Sequence, residues 1–264
     1  MPTVTIEGIE PFITMIRLDR PERLNALNYD LVRELHDALD EVGNDEDCKV
    51  VILTGAGRGF CAGLDLRDWG TPPAPGEHPH ARVGVDGQAF MANLTVHMRN
   101  TPQVLIGAVN GPAFGGGLSL ACATDVRIAA ESARFCSAFI RTGLTGTDIG
   151  ITYLLPRLIG NARAFDLIFS GREIDAAEAE RMGLVSQVAP DAELMERTLE
   201  YARVIAGYTR VGLVMTKEVL WHNVDNPSMT AAIALENRNQ NIANRAEEVQ
   251  QFMKDYRTRT TGNR

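Results

Sequence analysis

Cysteine is scarce in this chain of 264 residues, aromatic residues make up only 6% of it, and positive charge is outweighed, with 26 Lys and Arg against 34 Asp and Glu. The four cysteines, Cys48, Cys61, Cys122 and Cys136, stand far apart with no metal-type pairing. That excludes a small disulfide framework and fits reduced thiols that fill a core. A net charge of −8 excludes a general nucleic-acid surface. No stretch approaches the roughly 20 uninterrupted apolar residues that span a bilayer. The opening Met1-Pro-Thr-Val-Thr lacks the basic segment and apolar core of a secretion signal. The expectation is a cytoplasmic protein with neither membrane nor nucleic acid among its partners.

Two nucleotide signatures are also missing. No Lys-Ser or Lys-Thr follows a glycine-rich stretch, and no G-x-G-x-x-G pattern is matched, which excludes ATP and NAD as expected ligands. No metal is expected either. His78 and His80 fall in a Pro-rich stretch, residues 71–80, without cysteine or acidic partners at ligand spacing. That stretch reads as a mobile surface loop able to act as a lid, and its histidines as solvent-exposed. His36, His97 and His222 fall on helix surfaces or edges.

What is present is a chain that is 45% hydrophobic, enough for one large core or a core with a smaller appendage. Residues 4–6 and 13–18 read as a hairpin, residues 50–53 and 104–109 as buried strands, and residues 125–129 and 185–188 as further strands. Asn28 precedes a helical spacing of Leu31, Leu35, Leu39 and Val42 and is placed to cap a helix over 29–42. Helices are expected over 83–99 and 118–123, as a pair within 152–169, and from Asp175 to 181. Beyond Pro190 only helices are expected.

Glycine is concentrated where strands end. Asn110-Gly-Pro-Ala-Phe-Gly-Gly-Gly-Leu-Ser119 follows one apolar strand, and Thr54-Gly-Ala-Gly-Arg-Gly-Phe-Cys-Ala-Gly-Leu-Asp65 ends another. Glycines at a strand-to-helix junction expose backbone N–H groups, with the positive end of a helix dipole behind them. Two such turns can converge on one carbonyl oxygen. Together with Arg20-Pro-Glu-Arg-Leu-Asn-Ala-Leu27, these segments resemble the crotonase superfamily, the enoyl-CoA hydratase/isomerase family, over nearly the whole chain and in the same order.

The resemblance implies an α/β fold, a crotonase-like spiral of repeated ββα units over residues 1–195 that binds acyl-CoA and carries catalysis. A C-terminal helical region over 196–264 would mediate assembly into a homotrimer or a dimer of trimers. It implies an oxyanion hole made by the backbone N–H groups of Leu64 and Gly116. The substrate is implied to be an acyl-CoA thioester, so coenzyme A enters with the substrate and no separate cofactor is needed. Backbone around Ala26 and Ala62 would meet the adenine and pantetheine, with Asp65, Leu66 and Arg67 lining the same channel and Arg23 within reach of a phosphate. Arg23 and Arg67 read equally as solvated surface groups.

The chain departs from the family's hydratases at their two glutamates, which correspond to Ser119 and Phe139 here. Neither replaces a carboxylate that activates water or protonates carbon. In dienoyl-CoA isomerases of the superfamily an aspartate occupies a place similar to that of Asp148, in Gly143-Leu-Thr-Gly-Thr-Asp-Ile-Gly150. Asp148 is therefore the candidate proton carrier, with helix capping as its alternative role. Two functions remain open at this point: an isomerase-like acyl-CoA enzyme, and a catalytically silent acyl-CoA-binding protein.

Overall fold

The computed structural model describes residues 2–81 and 87–261. The first half comprises β1 (Val4–Glu10), β2 (Ile13–Leu18), α1 (Tyr29–Asn44), β3 (Val50–Gly55), α2 (Gly87–Asn100), β4 (Val104–Val109), β5 (Ala113–Phe114), α3 (Gly116–Ala123), β6 (Val126–Ala130) and β7 (Arg134–Cys136). There follow α4 (Ile151–Ile159), α5 (Asn161–Ser170), β8 (Glu173–Asp175), α6 (Ala176–Met182), β9 (Gln187–Ala189), α7 (Leu194–Ala206), α8 (Arg210–Asn223), α9 (Met229–Ala243) and α10 (Glu247–Thr261).

Six strands form one sheet in the order β1-β2-β3-β4-β6-β9, and a second sheet joins β5, β7 and β8. The hairpin β1–β2 is antiparallel, whereas β2 to β9 pair in parallel. Every residue of β3 is buried, as a parallel strand covered on both faces requires. Its side chains alternate: Val51 and Leu53 enter the larger core with α1, α2 and α3, while Val50 and Ile52 meet Leu194, Leu199 and Ala202 of α7. The strand period of two thus divides one sheet between two cores.

Local signals explain where helices begin. The Asn28 side chain accepts from Leu31 N at 3.0 Å and the Asp175 side chain from Glu178 N at 2.7 Å, each supplying an acceptor to a free first-turn amide. Helix α3 starts inside the glycine triplet, two residues before the expected start at 118. Helix α2 is described from Gly87 onward, and residues 83–86 of the expected helix lie outside the described residues. The second sheet was not expected, because its strands are only two or three residues long.

The Pro-rich stretch corrects an expectation. His78 is buried at 7% exposure, its Nε2 3.0 Å from Asp37 Oδ1, and His80 Nε2 is 3.0 Å from Asp40 Oδ2. The loop histidines are thus held on α1 by acidic partners that sequence spacing could not reveal. His36 is fully buried on α1, not at a helix surface. No helix among the described residues is long and apolar enough to cross a membrane.

Candidate active site

The three motif segments cross at one place. Leu24 and Asn25 adopt the left-handed backbone region, φ 51° and 56°, folding the 20–27 loop back on itself. The buried Asn25 side chain then accepts from Arg20 N at 2.9 Å and donates to the carbonyls of Ala56 and Gly59 at 3.0 and 2.8 Å. Ala62 N donates to Leu24 O, Leu27 N to Gly63 O and Asp65 N to Leu27 O, at 2.7 to 2.9 Å. The loop thereby forms one wall of the 62–65 turn.

The glycine triplet forms the other wall. Phe114 N donates to Cys61 O at 2.9 Å, and Cys61 N to Pro112 O at 3.0 Å. Gly63, at φ +88°, lies so close to the triplet that a Cβ there would stand 2.7 Å from Phe114 O and 3.3 Å from Gly116 N. A Cβ on Gly117 would stand 2.0 Å from Cys61 O. Glycine is therefore required at both positions by backbone-to-backbone approach. Among the described residues, neither the Leu64 amide nor the Gly116 amide has an acceptor. Gly116 is also the first residue of α3, whose opening amides are left free by helix geometry.

Asp148 is linked to these turns through the residue that follows it. The next residue, Ile149, holds φ +46°, a costly conformation for a β-branched side chain. Its Cδ1 sits 3.0 Å from where a Gly116 Cβ would be. The half-buried Asp148 carboxylate accepts through Oδ1 from Ile149 N at 2.7 Å and from Gln88 Nε2 at 2.6 Å. It does not cap α4, because the N-cap residue is Gly150 and no side-chain cap bond is made. Gln88, on α2, was not identified from sequence; a lone glutamine 60 residues away carries no local signal. The ring of Phe139 lies 3.8 Å from the position of a Gly115 Cβ, and Ser119 is fully buried with an unpartnered hydroxyl. An apolar ring and a lone hydroxyl thus occupy the surroundings of the turns.

The proposed carrier residues separate into two groups. Arg23 and Ala62 are half-buried, and Leu66 and Arg67 are exposed. Ala26 is buried, its carbonyl accepting from Arg20 Nη1 at 2.6 Å. Asp65 faces inward, 4% exposed, its Oδ2 3.0 Å from Arg20 Nη2 and its Oδ1 accepting from the amides of Arg67 and Asp68. Burial pushes its carboxyl up, but those two amides and the Arg20 guanidinium outweigh burial and leave the pKa below the usual carboxylate value. Asp65 anchors the turn that presents Leu64. Its partner Arg20 was also missed from sequence.

The model of the enoyl-CoA hydratase/isomerase family matches residues 8–261. The chain belongs to this family. It is 41% identical over 233 residues to a probable enoyl-CoA hydratase of Mycobacterium tuberculosis, covering 88% of this chain and 82% of that protein. It is 35% identical over 241 residues to the 1,2-epoxyphenylacetyl-CoA isomerase of Escherichia coli, covering 91% and 90%. Among solved structures, a monofunctional enoyl-CoA isomerase from M. smegmatis superposes with a TM-score of 0.75 at 39% identity, covering 88% of this chain and 99% of that one. The fold is that of the crotonase superfamily, and the family acts on acyl-CoA thioesters.

Proposed function

We propose that the protein is an acyl-CoA isomerase of this family, one that moves a proton through a thioester enolate. The observation that carries this reading is the adjoining pair of turns whose Leu64 and Gly116 amides have no acceptor among the described residues, with Ile149, the neighbour of the half-buried Asp148, packed against Gly116. Asp148 takes a proton from a carbon next to the double bond, the electron pair delocalises onto the thioester oxygen, and the same carboxyl returns the proton at the other end of the conjugated system. The two amides hold the developing oxyanion, each worth about 3–4 kcal/mol to the transition state. Proton transfer by a positioned group contributes about 10²–10⁴-fold. Two relatives carry isomerase names, in keeping with this reading, and Ser119 and Phe139 stand where the family resemblance puts the two glutamates of the hydratases.

The carrier would run along the 20–27 loop, with Ala26 and Ala62 offering backbone, Arg23 and Arg67 meeting phosphates, and Leu66 flanking them. No cofactor beyond coenzyme A enters the reaction as proposed. Assembly into a trimer or a dimer of trimers in the cytoplasm fits the exposed Leu220, Met229, Ile233 and Ile242 on α8 and α9. The second reading, a binding protein without turnover, is favoured by the same Ser119 and Phe139.

Deuterium exchange separates the two readings. The protein is incubated with enoyl-CoA and saturated acyl-CoA esters in deuterated water, and label is followed at the α- and γ-carbons. Exchange that Asp148→Asn abolishes while ester binding persists is the expected result. Tight ester binding without exchange or turnover across chain lengths establishes the binding protein instead.

A further inference from the structure

Four of the chain's five histidines meet where α1, α2 and the Pro-rich loop pack together. Helix α1 supplies His36 and, one turn on, Asp40; the loop supplies His78 and His80; α2 supplies His97. Ring centroids of His36 and His80 are 4.4 Å apart, those of His80 and His97 4.3 Å, and those of His36 and His97 5.1 Å. One ring nitrogen from each of His36, His80 and His97 lies within 4.8 Å of the other two.

The hydrogen-bond partners dictate where the protons sit. His36 Nε2 faces the Phe90 carbonyl at 3.3 Å, His97 Nε2 faces Asp40 Oδ1 at 3.2 Å, and His80 Nε2 faces Asp40 Oδ2 at 3.0 Å. Carbonyl and carboxylate oxygens only accept, so each Nε2 carries the hydrogen and each Nδ1 a lone pair. Yet His36 Nδ1 and His97 Nδ1 stand 2.9 Å apart. Two lone pairs at that distance repel unless something positive lies between them. A third proton would create an imidazolium beside a ring with no access to water, where charge is disfavoured. His78 is different: its Nε2 meets Asp37 and its Nδ1 accepts from His80 N at 3.2 Å, so both nitrogens are used.

We propose that His36, His80 and His97 bind one divalent ion of the zinc class through their Nδ1 atoms, with Asp40 behind two of them and His78 positioning the loop. Zinc–imidazole bonds of about 2.0–2.1 Å in a tetrahedron set neighbouring nitrogens about 3.3 Å apart. The His36–His97 separation is already close to that edge, and the loop-borne His80 closes the triangle. A carboxylate holding the outer nitrogen of a ligating histidine is the usual support of such sites. Neutral imidazoles without thiolate or carboxylate in direct contact suit Zn²⁺, Co²⁺, Ni²⁺ or Cu²⁺ and not Mg²⁺ or Ca²⁺. The ion would fasten the Pro-rich stretch, residues 71–80, to both helices. Because α2 also carries Gln88, the site shares an element with the partner of Asp148.

The test uses the untagged full chain stripped with EDTA, then titrated with Zn²⁺ by calorimetry and with Co²⁺ by visible spectroscopy. Expected are one ion per chain, four-coordinate Co²⁺ bands without thiolate charge transfer, and a melting temperature that rises with Zn²⁺. Asp40→Asn is expected to weaken binding about 10–100-fold. His80→Asn and His97→Asn are expected to abolish it, along with the Zn²⁺-dependent rise in melting temperature. His80 lies at the surface side of the cluster, so its variant folds, and its melting in EDTA checks this. Failure of the wild type to take up Co²⁺, uptake unchanged in His80→Asn, or displacement by equimolar Mg²⁺ would each overturn the proposal.

Discussion

The Gln88 amide donates to Asp148 Oδ1 at 2.6 Å, joining α2 to the segment before α4 across 60 residues of chain. The same oxygen also takes the Ile149 amide, so two donors fix the carboxylate. Under the proposed reaction, Gln88→Ala lowers kcat more than it raises KM, because it frees the carboxylate to rotate without touching the carrier. Asp148→Asn lowers kcat about 10²–10⁴-fold. Steady-state kinetics on enoyl-CoA esters read both.

Gly117→Ala tests the contact between the two turns. Its Cβ would fall 2.0 Å from Cys61 O, a rigid main-chain atom. The variant is expected to lose more than about 3 kcal/mol, at the severe end for single substitutions. Gly8→Ala, which meets nothing within 4 Å, is its control and changes stability by less than about 0.5 kcal/mol. Urea melts followed by circular dichroism compare them.

Asp65→Ala leaves the Arg20 guanidinium buried without its nearest carboxylate, 3.0 Å away. Breaking a buried pair in this way costs about 3–5 kcal/mol. The contribution of Asp65 also has a defined pH sign. Its native pKa is depressed, so the stabilisation is present above the unfolded value of about 3.9 and is lost as pH falls below it. The difference between wild type and Asp65→Ala is therefore expected to shrink in strong acid.

Metal-free protein is expected to weaken in mild acid for a different reason. Burial first, then the neighbouring imidazole of His80, lowers His36 to about 3 and His97 to about 4. The unfolded chain takes up protons at about 6.5, whereas the native rings do not until those lower values. Unfolding thus binds protons in that interval, and stability falls as pH drops from about 6.5 towards 4, by up to about 1.4 kcal/mol per unit for each ring. Urea melts in EDTA at several pH values measure the slope, which His97→Asn reduces.

Much of this was legible in the sequence where one segment carried its own signal. The apolar run of β4 gave its limits, and Asn28 and Asp175 marked two helix starts through their caps. The meeting of the 20–27, 62–65 and 113–117 segments was expected only through the family resemblance, since no local pattern encodes it. What escaped depends on partners distant in the chain. Nothing near His78 announces Asp37, 41 residues earlier, and proline content argued for exposure. Arg20 and Gln88 read as ordinary polar residues until the fold supplied Asp65 and Asp148. The short strands β5, β7 and β8 owe their pairing to neighbouring turns, and two or three residues show no period.

Where Gly63 meets the Phe114 carbonyl, the frame of the site is main chain against main chain, with no side chain to exchange. Any attempt to redirect this scaffold towards another acyl transformation must therefore leave those turns untouched. Under the proposed reaction, new reactivity is to be written at 119, 139 and 148, around a support that cannot itself be varied.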